Sequence, residues 1–342
     1  MKDLLKRWLG IGNAAAVPKK KPLARRPAPA PALVMLKDTT FPIVDWEAMD
    51  AHVPADAKTE ILDAFWTTIA KAWLDSLRVA LGKQYSIRES ERFLLLSPLE
   101  ASGAKVTLDY MEKTRKRILR VLDGVAKDSE IGKVCVLIFE NADQYYRYVS
   151  NYYPPQGEFS LSGGMFLQKG YGHFAFVKDG MGTMEPTIAH ELTHCMVQHL
   201  SIPAWLNEGM AVNTEHRLSP PPGRPLFTPE EMHEKHMVFW NEQTIQEFWS
   251  GKSWLRPDEA NMLSYDLAQH FVSMTALDFD IFRRFANAAN ASDSGDAAAL
   301  KHLSYPVAHL AEAVLGQGPW QPKPETWKDG VERGQFKPLH QE

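Results

Sequence analysis

Two histidines four residues apart, with a glutamate directly after the first, stand in the stretch TIAHELTHCMVQHL, Thr187–Leu200. In an α-helix each residue advances by about 100°, so His190 and His194 fall on one face, one turn apart. Two imidazoles so placed can grip one metal ion, and Glu191 on their flank can reach a water held by it. A catalytic zinc site needs three protein ligands and one open position. The third ligand must come from a separate element folded back beside the first. PAWLNEGMA supplies a candidate: the chain turns at Pro203 and starts a second helix near Asn207, with Glu208 on its first turn. Trp205, Leu206 and Met210 would pack the two helices together. The plain alternative for Glu208 is an acid at a helix N-terminus, but a carboxylate among so many apolar neighbours needs a partner.

The chain contains its own control for chance histidine pairs. HEKH at His233–His236 is one residue short of the same pattern, so both histidines are expected on an exposed helix face, without a role. Cys135 and Cys195 are the only cysteines; they form no Cys-x-x-Cys pair, and Cys195 is expected as a buried thiol. Tyr110, the Tyr145–Tyr146 pair, Trp66 and Trp73 have the character of packing aromatics rather than of a binding cage. No Gly-rich phosphate loop occurs.

HELTH followed after thirteen residues by Glu208 within WLNEG resembles the gluzincin metallopeptidases, in particular the compact bacterial peptidase-MA-like group. The likeness runs loosely from about Arg92 to Leu315. It implies one zinc ion bound by His190, His194 and Glu208, with Glu191 as general base and acid in peptide hydrolysis. MLSYDLAQHFV resembles the family segment whose tyrosine faces the metal, which would make Tyr265 a second donor to the oxyanion. Two departures stand out. Thermolysin-like members carry an aspartate four residues past the glutamate ligand, as support for a histidine; here that position is Val212. The zinc aminopeptidases carry Gly-x-Met-Glu-Asn well upstream; GTMEP at Gly182–Pro186 only echoes it, too close to His190, so Glu185 reads as an acid at a helix start.

Positioning these residues requires a scaffold, and periodicity outlines one. Apolar residues at Leu62, Phe65, Trp66, Ile69, Trp73 and Leu77 predict a long helix over Ala57–Leu81. ERFLLLSP reads as a short buried strand, YMEKTRKRILRVLDGVA as an amphipathic helix, KVCVLIFE as a strand and ADQYYRYVSNYY as a helix. One or two strands follow, the last at His173–Val177, before the motif helix with Pro186 near its start. That strand is expected at the sheet edge, with His173 on the surface, where an extended peptide or protein substrate could pair with it. Beyond the second helix the chain reads as helical, with TPEE at Thr228–Glu231 as a capping box and helices near Pro229–Trp240, Thr244–Trp249, Glu259–Leu277, Phe279–Ala291 and Ser304–Leu315. Strands first and helices afterwards predict an α+β fold: a zincin-like domain with a small mixed sheet, then an all-helical subdomain. The boundaries expected are a tail over 1–40, a helical segment over 41–90, a catalytic subdomain over 91–217, a helical subdomain over 218–320 and a C-terminal tail over 321–342.

The 342 residues carry a formal net charge of −4, but nine Lys/Arg against one acid fall between Met1 and Lys37. The remainder holds 29 basic and 41 acidic residues, a balance that argues against nucleic acid, whose phosphates need clustered cations. Only the Pro/Ala/Lys-rich tail suits an anionic surface or partner. No run of about 18 apolar residues exists, and Lys6 and Arg7 break the apolar centre a secretory signal needs, so a cytoplasmic location is expected. Two further readings compete with catalysis. One keeps zinc and fold but uses them to recognise a peptide or protein or to regulate a partner; the other makes the histidines mere core residues.

Overall fold

Every side chain of Phe93–Ser97 is buried, which requires cover on both faces of its sheet. The computed structural model describes residues 32–53, 57–152, 163–168, 170–220, 223 and 225–327, all within one unit, Pro31–Glu342. The basic tail up to residue 31 and the end of the C-terminal tail lie outside the described residues. In chain order the strands are β1 (Ser86–Glu89), β2 (Phe93–Ser97), β3 (Val134–Phe139), β4 (Gly164–Leu167) and β5 (His173–Val177). They form one mixed sheet in the order β1-β2-β3-β5-β4, parallel across β2–β3–β5 and antiparallel at both ends.

The pleat sends alternate residues to opposite faces. Leu94, Leu96, Cys135, Leu137, Phe139 and Ala175 meet α1 (Trp46–Asp50), α2 (Thr59–Leu81) and α4 (Ala142–Val149) in one cluster. Phe93, Leu95, Val136, Ile138, Phe174 and Phe176 face α3 (Ala101–Val121) and α5 (Met181–Val197) in another. This second cluster continues without a break through α6 (Ala204–Leu218) into the helices that follow. These are α7 (Pro229–Phe239), α8 (Thr244–Ser250), α9 (Ala260–Thr275), α10 (Phe279–Ala288), α11 (Asp296–His302) and α12 (Ala308–Leu315). The fold is α+β. No helix among the described residues is long and apolar enough to cross a membrane.

Strand order corrects one expectation. The strand at 173–177 is interior, between β3 and β4, and among the described residues the sheet ends on β4. Short and glycine-led, β4 shows too little alternation to announce an edge strand. His173 is therefore buried, not a surface residue: its Nδ1 donates to the Tyr171 carbonyl (2.8 Å) and its Nε2 accepts from the Tyr148 hydroxyl (2.8 Å). Burial holds its pKa down at about 4.

His236 is a second correction. It is buried, not exposed, because its helix lies against α9: its Nε2 donates to Asp266 (2.8 Å) and its Nδ1 accepts from the Trp240 indole (2.8 Å). His233 is exposed as expected. Cys195 is buried, and desolvation pushes its thiol up to about 12. The capping box of α7 forms between Thr228 and Glu231. Helix α5 begins five residues before Pro186, at Met181, so the proline sits in the second turn and withholds the N–H that the Gly182 carbonyl would have accepted. Strand β1 and helix α11 had no clear periodic signature.

Candidate metal centre

Helix α5 presents His190 and His194 one turn apart, and α6 crosses it with Glu208 facing both rings. Glu208 Oε2 lies 3.4 Å from His190 Nε2 and 3.3 Å from His194 Nε2. One ligand atom from each of the three residues falls within 4.8 Å of the others, and the group can hold a metal ion. The tight seat of α6 on α9 sets this approach. A Cβ on Gly209 would collide with the Ala268 carbonyl and come within 2.7 Å of Val272 Cγ2, so only glycine admits this crossing. Asn213 Nδ2 then donates to the carbonyls of Gly209 (2.8 Å) and Gln269 (3.0 Å), and Ser273 Oγ donates to Asn213 Oδ1 (2.7 Å).

Each imidazole is fixed from behind. His190 Nδ1 lies 2.9 Å from Glu215 Oε2 and His194 Nδ1 lies 2.9 Å from Asn207 Oδ1. A carboxylate or amide oxygen only accepts, so both Nδ1 atoms carry hydrogen and both Nε2 atoms can turn lone pairs toward Glu208. Three such atoms meeting in a nearly dry space suit a cation between them. Tetrahedral zinc, with bonds of about 2.0–2.1 Å, sets neighbouring donors about 3.3 Å apart, close to the Nε2–Oε2 separations here. The residues present therefore fit zinc. Without a metal, burial opposes a charge on His190, but the Glu208 and Glu215 carboxylates outweigh it and hold its pKa up at about 10, so a proton on Nε2 fills the place a metal would take and must leave for the metal to bind.

Glu191 flanks the triad. Burial raises its carboxyl above the usual range, while the two histidines and a backbone hydrogen bond pull the other way. That bond comes from the Phe166 N–H of β4, 2.7 Å from Glu191 Oε2. Helix α9 sets the Tyr265 ring beside His190, with centroids 6.2 Å apart, and Trp254 braces the tyrosine edge-on at 6.3 Å. His236, through Asp266, ties α7 to the next residue of α9.

All five residues singled out from the sequence, His190, Glu191, His194, Glu208 and Tyr265, thus come together. Three contributors were missed. Glu215 lies seven residues past Glu208, two turns along the same face, and takes the supporting role that Val212 cannot. The spacing of 208 and 215 was a usable signal. Asn207, adjoining Glu208, was legible only as part of WLNEG, and Phe166 acts through its backbone, which no residue type reveals. Compared with protein-family models and with curated proteins, the chain matches none.

Proposed function

We propose that this protein is a zinc-dependent peptidase of the gluzincin kind. The observation that carries the reading is the convergence of His190 Nε2, His194 Nε2 and Glu208 Oε2 with Glu191 at their side. A zinc ion there would supply a water acidic enough to ionise near neutral pH and an electrophile for a carbonyl oxygen. Glu191, whose carboxyl burial holds above its usual range, would accept a proton from the attacking water as its oxygen bonds the carbonyl carbon, and would pass that proton to the amine nitrogen as the C–N bond breaks. Tyr265 supplies a hydroxyl donor toward the oxygen of the attacked carbonyl. Glu215 and Asn207 keep both imidazoles in the Nδ1–H tautomer. An extended substrate backbone would lie along β4, the edge beside Glu191, rather than along 173–177.

A purely structural zinc site closes with four protein ligands; three ligands plus an adjacent carboxylate support catalysis over a binding-only role. The test compares wild type with Glu191→Gln on a broad peptide library at matched zinc content. We expect zinc retained and turnover reduced by about 10²–10⁴-fold. Near wild-type hydrolysis by the metal-loaded variant would refute the role given to Glu191.

A further inference from the structure

An edge strand has outward N–H groups that nothing in its own sheet uses. At β4 one of them is spent inside the protein. The Gly163 carbonyl accepts from Val177 N–H, across the pair that precedes Gly164↔Phe176. Antiparallel pairing alternates, so Gly164 and Phe166 turn their backbone groups away from β5. The outward N–H of Phe166 meets Glu191 Oε2 at 2.7 Å.

The approach that makes this possible is built into two spacings. Thr187 and Glu191 are four apart on α5, on one face; Gly164 and Phe166 are two apart on β4, on one side of the strand. Thr187 lies over Gly164. A Cβ there would overlap the Phe176 ring and come within 3.1 Å of Thr187 Cγ2. Glycine at 164 leaves room for the Phe176 ring beside the strand and for Thr187 of the helix, and one turn further along α5 the Phe166 N–H meets the carboxylate.

We propose that the β4 edge is a positioning device for Glu191. The Phe166 N–H anchors Oε2 and leaves Oε1 as the oxygen that exchanges the proton. The inference rests on the peptidase reading for its catalytic meaning, but the anchor itself is a property of the fold. Without it a carboxylate on a two-carbon stem samples several rotamers, and general-base catalysis requires the base within hydrogen-bond reach of its proton. Phe166 is a positioning residue through its backbone, not a catalytic one.

Proline at an outward-facing edge position keeps the ladder and deletes only the outward donor, so Phe166→Pro isolates the N–H. Phe166→Ala, which retains the N–H and loses the same ring, is its reference. In zinc-loaded proteins of matched metal content and similar Tm, we expect kcat of Phe166→Pro to fall below that of Phe166→Ala on the order of 10- to 100-fold, the value of a hydrogen bond to a charged group. KM should differ by less than about threefold, because the bond acts on Glu191 and not on substrate. Independently of activity, the Phe166 amide of the wild type should resist hydrogen exchange and lose that protection in Glu191→Ala. Equal kcat for Phe166→Pro and Phe166→Ala, or a Phe166 amide that exchanges as fast in wild type as in Glu191→Ala, overturns the proposal. A wild type that hydrolyses no peptide sinks the peptidase reading instead, and the exchange measurement then still decides whether the anchor exists.

Discussion

Removing Glu215 isolates support from ligation, because its carboxylate touches His190 Nδ1 at 2.9 Å and is no member of the convergent triad. The side chain is 18% exposed, so little water stands ready to replace it. Two effects separate on substitution. Glu215→Gln keeps an acceptor oxygen for Nδ1–H but loses a negative charge behind the imidazole. Glu215→Leu loses both and leaves the Nδ1–H without its partner, free to flip the ring or swap tautomer. Supporting bonds of this kind are worth about 10- to 100-fold in metal affinity, or about 1.4–2.7 kcal/mol. Glu215→Gln should fall near the lower figure and Glu215→Leu near the upper. Competition for zinc against a chromophoric chelator at fixed pH reads both values directly, with circular dichroism to establish that each variant is folded. A folded Glu215→Leu that binds zinc within about twofold of wild type would show that the tautomer argument is wrong.

Tyr265→Phe should leave zinc affinity unchanged within about twofold while lowering kcat on the order of 100- to 1000-fold, the range for loss of one oxyanion donor; steady-state kinetics beside the chelator assay check this, and an unaltered kcat removes Tyr265 from the mechanism. Gly209→Ala should cost about 1–3 kcal/mol by overpacking the α6–α9 crossing and weaken zinc binding as Glu208 is displaced; urea unfolding at wild-type midpoint would contradict it. His173 makes stability depend on acid. The unfolded chain protonates it below about 6.5, whereas the fold keeps it neutral down to about 4. The unfolded state therefore binds more protons in that window, and stability falls as pH drops through it, by about 3 kcal/mol in total. Replacing His173 by Phe among Trp73, Tyr148 and Tyr152 should flatten the slope between pH 6.5 and 4; an unchanged slope would assign it to other groups.

The convergence of His190, His194 and Glu208 was legible because helix geometry turns a four-residue spacing into proximity, and because Glu208 sat among apolar residues that could not tolerate it alone. Long periodic elements such as α2 and the buried run of β2 were legible for the same reason: many residues repeat one message. Sheet order was not. The rank of β4 as edge strand and of β5 as interior depends on pairing between segments far apart in sequence, and β4 has only four residues, two of them buried. His236 was misplaced because its helix covers Asp266, and a single helix carries no mark of which face will be covered. Glu215 was within reach, since the heptad spacing to Glu208 places it on the ligand face, but only the structure shows that Val212 leaves the task to it. Gly209 carried little information in sequence, yet it lets α6 seat closely on α9.

The most direct test of the central claim is X-ray absorption at the zinc edge on purified protein carrying one equivalent of the metal. The account predicts a four-coordinate zinc with two imidazole nitrogens, one carboxylate oxygen and one exchangeable oxygen at about 2.0–2.2 Å, and loss of the carboxylate contribution in Glu208→Ala. Zinc bound without imidazole scattering, or a spectrum that Glu208→Ala leaves unchanged, would contradict it.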